Sequence, residues 1–442
     1  MNRLLRQRRA VPFVVLLVLI LAMVTTFSVN APIPSGSPAP TDNRQPFTRN
    51  RQQGRVMQAL YHVEVQAARE GWTAALARAA GDLWREAGDW TNAAAYWEMA
   101  AAAEPSDTSL LRQIAQAYIA LQQWTHAVDT LERLVQLEPN EAWAHYQLGL
   151  LRAPLDAHNA RQHLSAAVTS LDYSAVSQIL LTTIDTYGSD PVLLSMRVGV
   201  LFMDFEMWAH AELAFSQAAL IAQPFPEALA YTALARDWQG KDSTLWLEQA
   251  LQLAPDNALV RYVEGLHWRL GGDNPRSLEA LLRAVTLEPA NPAYCAELGT
   301  AYRLTGDLES ALLWLQQAVI LSNNAPEFQR LLALLYAEEA AALALLGVDV
   351  QGQISTLTPN DPDVLAELGW SMYTAGDSAG AQAQISTALA LDPQNPRALY
   401  YRARILLSDG DTVAAVPLLQ IVAASTSALM AEARRLLADL GY

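Results

Sequence analysis

Apolar residues recur three and four positions apart along most of this chain, in short runs that stop and restart at regular intervals. Between Pro292 and Ala325 one run passes through Leu298, Gly299 and Tyr302 and stops at Gly306. Asp307 follows, and a second run carries Ala311, Leu315 and Ala318. This spacing predicts two short helices joined by a tight turn. Glycine just past a helix end takes the left-handed conformation without a side-chain clash, and the aspartate after it accepts from the free amides that open the next helix. The small residues Gly299 and Ala311 fall where the paired helices cross, with Tyr302 and Leu315 filling the space beside them. The unit is copied along the chain. Gly-Asp pairs stand at 88–89, 272–273, 306–307, 376–377 and 410–411, the last four spaced 34, 70 and 34 residues apart. Pro105 and Pro139, Pro255 and Pro289, and Pro359 and Pro393 are each 34 apart. A fixed period of this length marks a stacked solenoid.

On these residues the chain resembles the tetratricopeptide-repeat (TPR) family, whose pattern sets Trp, Leu, Gly and Tyr on a first helix, then Ala, an aromatic residue, Ala and a closing Pro. One copy reads Gly81, Trp84, Gly88, Asp89, Ala93, Trp97, Ala100, Pro105. Another reads Leu298, Gly299, Tyr302, Gly306, Asp307, Ala311, Ala318, and a third Leu368, Gly369, Gly376, Asp377, Ala381, Ala388, Pro393. The resemblance implies an all-α fold, a right-handed superhelical α-solenoid of helix-turn-helix repeats. It covers residues 71–424, about nine to ten copies, and the register slips near 155–190, 225–245 and 324–360. Residues 55–70 read as a leading helix and 425–442 as a closing helix that covers the last apolar face. A hydrophobic content of 52% with 17% charge suits such an array, because stacked copies bury against their neighbours the surface that a lone copy cannot.

The start of the chain adds a membrane expectation. Arg3, Arg6, Arg8 and Arg9 lie in a basic segment, residues 1–9, ahead of an uncharged apolar run over 10–29. About 20 such residues suffice to cross a bilayer as a helix. The flanking charge places residue 1 in the cytoplasm and the repeats outside it, in a single-pass protein of the cytoplasmic membrane. The alternative is a secreted protein, since Val29-Asn30-Ala31 has the small-residue character of a cleavage site, although Pro32 hinders cutting. A third reading makes the run a buried helix of the solenoid, against which its lack of a polar face counts. Residues 30–54, rich in Pro and Arg, read as a flexible tether whose arginines either solubilise it or touch lipid phosphates or cell-wall anions.

Charge removes nucleic acid from the partners. Eight arginines against Asp42 give residues 1–55 a net +7, which leaves −23 on the rest of a chain whose total is −16. An acidic body repels a phosphate backbone. Lys241 is the only lysine among 29 basic residues, a bias that points to a bacterial genome of high GC content. Catalytic signatures are absent from the sequence: no phosphate-cradling loop precedes Lys241, and there is no H-E-x-x-H, G-x-S-x-G, G-x-G-x-x-G or C-x-x-C. His158 and His163 turn to different sides of a helix, and the other five histidines are scattered singly, so they read as structural or solvated. Cys295 falls on a packing position and reads as a buried thiol. No enzyme, cofactor or metal site is expected.

In the family the first helices line a concave groove that carries ligand contacts. The resemblance transfers that role to Arg78, Arg85, Arg112, Trp143, Tyr146, Tyr262, Arg269, Arg303, Trp370, Tyr373, Arg397, Tyr400 and Arg404. Arg, Trp and Tyr dominate interface hot spots, although each aromatic can equally pack between neighbouring helices. The family's carboxylate clamp for chaperone tails is not matched, since Asp82 stands where Asn belongs and Trp143 and Gln147 replace a basic pair. The expected function is a membrane-tethered protein-interaction scaffold that binds an extended or helical segment during assembly of a cell-envelope complex. The alternative is a glycan-facing TPR module of an exopolysaccharide export or cell-wall system, with the groove aromatics stacking on sugar rings.

Overall fold

The computed structural model describes residues 44–442 other than 359, 426 and 428, and these residues form 24 α-helices. They fall into two compact units, one ending at Leu253 and the other beginning at Ala254. The apolar run over 10–29 and most of the tether lie outside the described residues. Among the described residues no helix is long and apolar enough to cross a membrane.

The first unit opens with α1 (Arg44–Glu70), followed by the hairpins α2 (Ala74–Glu86) with α3 (Trp90–Ala103), α4 (Thr108–Ala120) with α5 (Trp124–Leu137), and α6 (Ala142–Arg152) with α7 (Ala157–Ala167). A single helix α8 (Leu171–Tyr187) comes next, then α9 (Pro191–Asp204) with α10 (Trp208–Ile221) and α11 (Pro226–Asp237) with α12 (Thr244–Leu253). The second unit holds α13 (Ala258–Leu270) with α14 (Asn274–Leu287), α15 (Pro292–Leu304) with α16 (Leu308–Leu321), and α17 (Pro326–Glu338) with the short α18 (Ala340–Leu345) and α19 (Val350–Leu357). It ends with α20 (Pro362–Thr374) and α21 (Ser378–Leu391), α22 (Pro396–Ser408) and α23 (Thr412–Ala424), and the closing α24 (Met430–Asp439), which packs on α23.

The turn chemistry follows the Gly-Asp pairs. Gly306 takes φ +87°, and the Asp307 carboxylate accepts from the Ser310 amide at 3.0 Å. The same cap recurs at Asp89, Asp273, Asp377 and Asp411. At the helix crossing, a methyl group added to Gly299 would stand 2.8 Å from Leu315 Cγ and 3.1 Å from the Ala311 carbonyl oxygen, so only glycine lets α15 and α16 approach this closely. In α2–α3 the corresponding glycine, Gly81, lies against the fully buried Trp97.

Three departures from the sequence expectation have local causes. Helix α1 begins at Arg44 rather than Arg55, so it takes in residues assigned to the tether. In the irregular 324–360 stretch, α18 and α19 together occupy the place of one second helix, broken over residues 346–349. The first unit also closes on itself instead of remaining an open stack. Gln122, in the turn after α4, donates to Gln239 Oε1 at 2.7 Å and accepts from Lys241 Nζ at 2.5 Å in the turn after α11. Lys241 in turn pairs with Glu212 of α10 at 2.8 Å, and the Trp124 and His210 rings meet at 5.3 Å. The chain's one lysine thus ties together two turns far apart in sequence. His210 is almost wholly buried, and burial depresses its imidazole to about 4.

Candidate functional site

Within each unit the first helices of successive hairpins lie beside one another, and side chains cross from each to the next. In the first unit Arg78 on α2 pairs with Asp107, the cap of α4, at 2.7 Å and also donates to Ser109. One repeat further, Arg112 on α4 pairs with Glu141, the cap of α6, at 2.9 Å, and its guanidinium lies 4.7 Å from the centre of the Trp143 ring. The two contacts are the same contact copied 34 residues on. Tyr146 stacks on Tyr173 of α8 at 4.7 Å. Arg85 is exposed and makes no ion pair among the described residues.

The second unit carries a longer series. Arg269 on α13 pairs with Glu297 on α15, with side chains only 5% and 1% exposed. Arg303 on α15 pairs with Glu338 on α17 at 2.5 Å, and Arg330 on α17 bridges Asp361 at 2.7 Å and Asp363 at 2.6 Å at the start of α20. Glu367 on α20 accepts from Arg397 and from the Tyr401 hydroxyl on α22, both at 2.8 Å. Burial raises the Glu367 carboxyl and pushes Glu338 up to about 7, against the opposing pull of the neighbouring arginines. At the far end Trp370 lies flat on Tyr401, 5.1 Å between ring centres and 6° from parallel, and Tyr373 stacks beside it at 5.6 Å. The Tyr373 hydroxyl reaches Ser408, and Arg404 lies over Trp370 at 4.3 Å.

These positions revise the list of groove residues. Tyr262 and Tyr400 are 1% and 4% exposed. Tyr262 stacks on Tyr294, and Tyr400 donates to Glu432 at 2.8 Å. With Arg269 they are inter-helix packing, because their surfaces are already covered. Arg78, Arg112, Arg303 and Arg397 are held by carboxylates of the adjacent first helix, so their charge serves the stack. Arg85, Trp143, Tyr146, Trp370, Tyr373 and Arg404 keep open surface. Of these, Arg404 combines an exposed guanidinium, no ion pair among the described residues, and an aromatic platform.

Glu367, Arg330 and Tyr401 escaped the sequence reading because the repeat pattern leaves those positions unspecified. The structure also joins His145 on α6 to His163 on α7, Nδ1 to Nδ1 at 3.0 Å. Their places on either side of Pro154 held the clue, since an antiparallel hairpin brings together residues equidistant from its turn. A cleft of about 490 Å³ lies among Arg330, Thr358, Asn360, Asp361, Pro362 and Asp363, and there the two aspartates are saturated by Arg330, Asn395 and the amides that open α20. Cys295 is buried, as its packing position implied, and burial pushes its thiol up to about 11. Among the described residues no group of three or more His, Cys, Asp or Glu is placed to hold a metal ion.

Family profiles agree with this architecture. Two tetratricopeptide-repeat profiles match, one over residues 271–326 and 367–429 and the other over 108–151. A search of curated proteins found no match. Similar solved structures include yeast Tom70, with 14% identity, 79% of this chain and 91% of that chain covered, and a TM-score of 0.33. A structure of the APC/C hetero-tetramer Cut9–Hcn1 is similar at 14% identity over 81% of this chain and 95% of that chain, with a TM-score of 0.40. Repeats matched in both units, on all-α hairpins with the expected turns and crossings, show that this all-α array carries tetratricopeptide repeats.

Proposed function

We propose that the protein is a scaffold that holds a segment of a partner protein, extended or helical, on the open end of the first-helix face in its second unit. Proteins of this repeat class are typically non-catalytic scaffolds. The observation that carries the reading is the contrast along one face. From α13 to α20 Arg269, Arg303 and Arg330 are held in ion pairs, whereas at α20–α22 Trp370 and Tyr373 present partly open stacked rings, with the exposed Arg404 guanidinium over Trp370 and outside any ion pair among the described residues. Such residues supply large contact area at low rotamer cost, with a charge to fix orientation.

The arginines at 3, 6, 8 and 9 and the apolar run behind them support a tether to the cytoplasmic membrane with the repeats outside the cytoplasm, serving a cell-envelope complex. Protease added to intact protoplasts is expected to digest the repeats while cytoplasmic markers survive. Full protection of the repeats would overturn that topology.

Photo-crosslinking tests the face itself. A photoreactive residue at Tyr373, in native membranes, is expected to capture a discrete protein, whereas one at exposed Leu313 on the second helix α16 is not. Equal crosslinking from both positions would remove the preference for the first-helix face. Capture of glycan alone at Tyr373 would favour a sugar-binding role for the aromatic platform.

A further inference from the structure

We propose that His145 and His163 form a labile binding site for a divalent transition-metal ion of the nickel or copper class. The two rings approach through their Nδ1 atoms at 3.0 Å, from adjacent helices of one hairpin. Two nitrogens each about 2.1 Å from a metal and at right angles to one another stand roughly 3.0 Å apart. The hydrogen bond between the rings thus already sets the nitrogens at the separation of two neighbouring ligands in a square or octahedral arrangement, so an ion can replace the bridging proton once the rings tilt to converge on it, in the geometry that Ni2+ and Cu2+ favour.

The hydrogen bonding around the pair fits this use. His145 Nε2 lies 2.9 Å from the Pro139 carbonyl oxygen, which accepts only, so Nε2 carries the proton and Nδ1 offers its lone pair toward His163. A carbonyl on the far nitrogen of a ligating imidazole fixes both tautomer and ring orientation. Without metal, His163 Nδ1–H donates into that lone pair. With metal, the proton moves to Nε2 of the same neutral ring and both Nδ1 atoms face the ion.

The surroundings set the strength of the site. Arg152 is the nearby cation, and its charge is engaged by Glu132 and, at 3.9 Å, by Asp156. His158, on the same helix as His163, is turned aside and bonded to Gln162 at 3.0 Å. Both rings are partly exposed, so water completes the coordination. Two imidazoles and water make an exchangeable site, and nitrogen donors select against Mg2+ and Ca2+.

The test uses chelator-washed full-length protein titrated with NiCl2, with MgCl2 as control, alongside His145→Phe and His163→Phe. One saturable Ni2+ site is expected, no Mg2+ heat, and a loss of affinity in each variant of at least the roughly 10–100-fold that removal of an outer-shell partner costs. A spectroscopic readout needs no variant and so survives a folding failure: Cu2+ bound stoichiometrically to the wild type should show coupling to two imidazole nitrogens. Absence of saturable Ni2+ binding, coupling to a single nitrogen, or undiminished binding by a folded double variant would each overturn the proposal.

Discussion

Replacing Arg269 with Met is expected to destabilise the second unit by about 3–5 kcal/mol, the usual cost of removing one partner of a buried ion pair. The Glu297 carboxylate it leaves behind is 1% exposed, and one of its oxygens already lacks a hydrogen-bond partner among the described residues. Methionine fills much of the arginine's volume, so the loss reports the stranded charge more than a cavity. The matched variant Arg269→Met/Glu297→Leu separates the two causes. It removes both charges together and is expected to recover most or all of the stability, since apolar replacements of buried pairs are often neutral or better. Urea unfolding of the three proteins measures this directly. A single variant as stable as wild type would show that the pair is open to water, and the α13–α15 contact would have to be redrawn.

Much of this fold was legible in the sequence because the repeat is written in residues with strong local preferences. Gly306 with Asp307, and the four equivalent pairs, dictate a left-handed turn followed by a capped helix, whatever lies further away. Gly299 against Leu315 is a crossing that tolerates no side chain, and its neighbours in the pattern sit where that crossing requires. Copies that lack the pair were harder to see. The turns before α5 and α10 use Gln122 and Glu206 at φ 56° and 57°, and those helices start without a side-chain cap. There the packing of Leu131 or Phe215, rather than the turn residue, holds the hairpin.

The candidate face was less legible. The repeat register correctly places Tyr262, Arg303 and Trp370 on first helices, but it says nothing of what the next helix offers them. Whether an arginine is free or neutralised depends on a carboxylate some thirty residues away, as with Arg303 and Glu338 or Arg78 and Asp107. Whether an aromatic ring is open depends on the side chains beside it: Tyr294 covers Tyr262, whereas Trp370, between Tyr401, Tyr373 and Arg404, keeps part of its surface open. The closure of the first unit through Gln122, Gln239 and Lys241 is a contact between distant turns that no local pattern encodes.

The central claim is that a partner segment is held on the α20–α22 end of the first-helix face, and the largest expected effect on function comes from stripping that platform. Truncating Trp370 and Tyr373 together to Ala removes two half-buried rings that already stack on Tyr401 and on each other. Hot-spot truncations cost about 2 kcal/mol or more each, so capture should fall by roughly a thousandfold. Tyr401, Glu367 and Arg397 remain in place to hold α20 against α22, so helicity should be retained. The direct measurement is recovery, by affinity purification on wild type and on the double variant from detergent-solubilised native membranes, of the partner that crosslinking identifies, with circular dichroism run on both proteins. The account predicts a folded variant that recovers none of the partner. A folded variant that recovers it at the wild-type level would contradict the account.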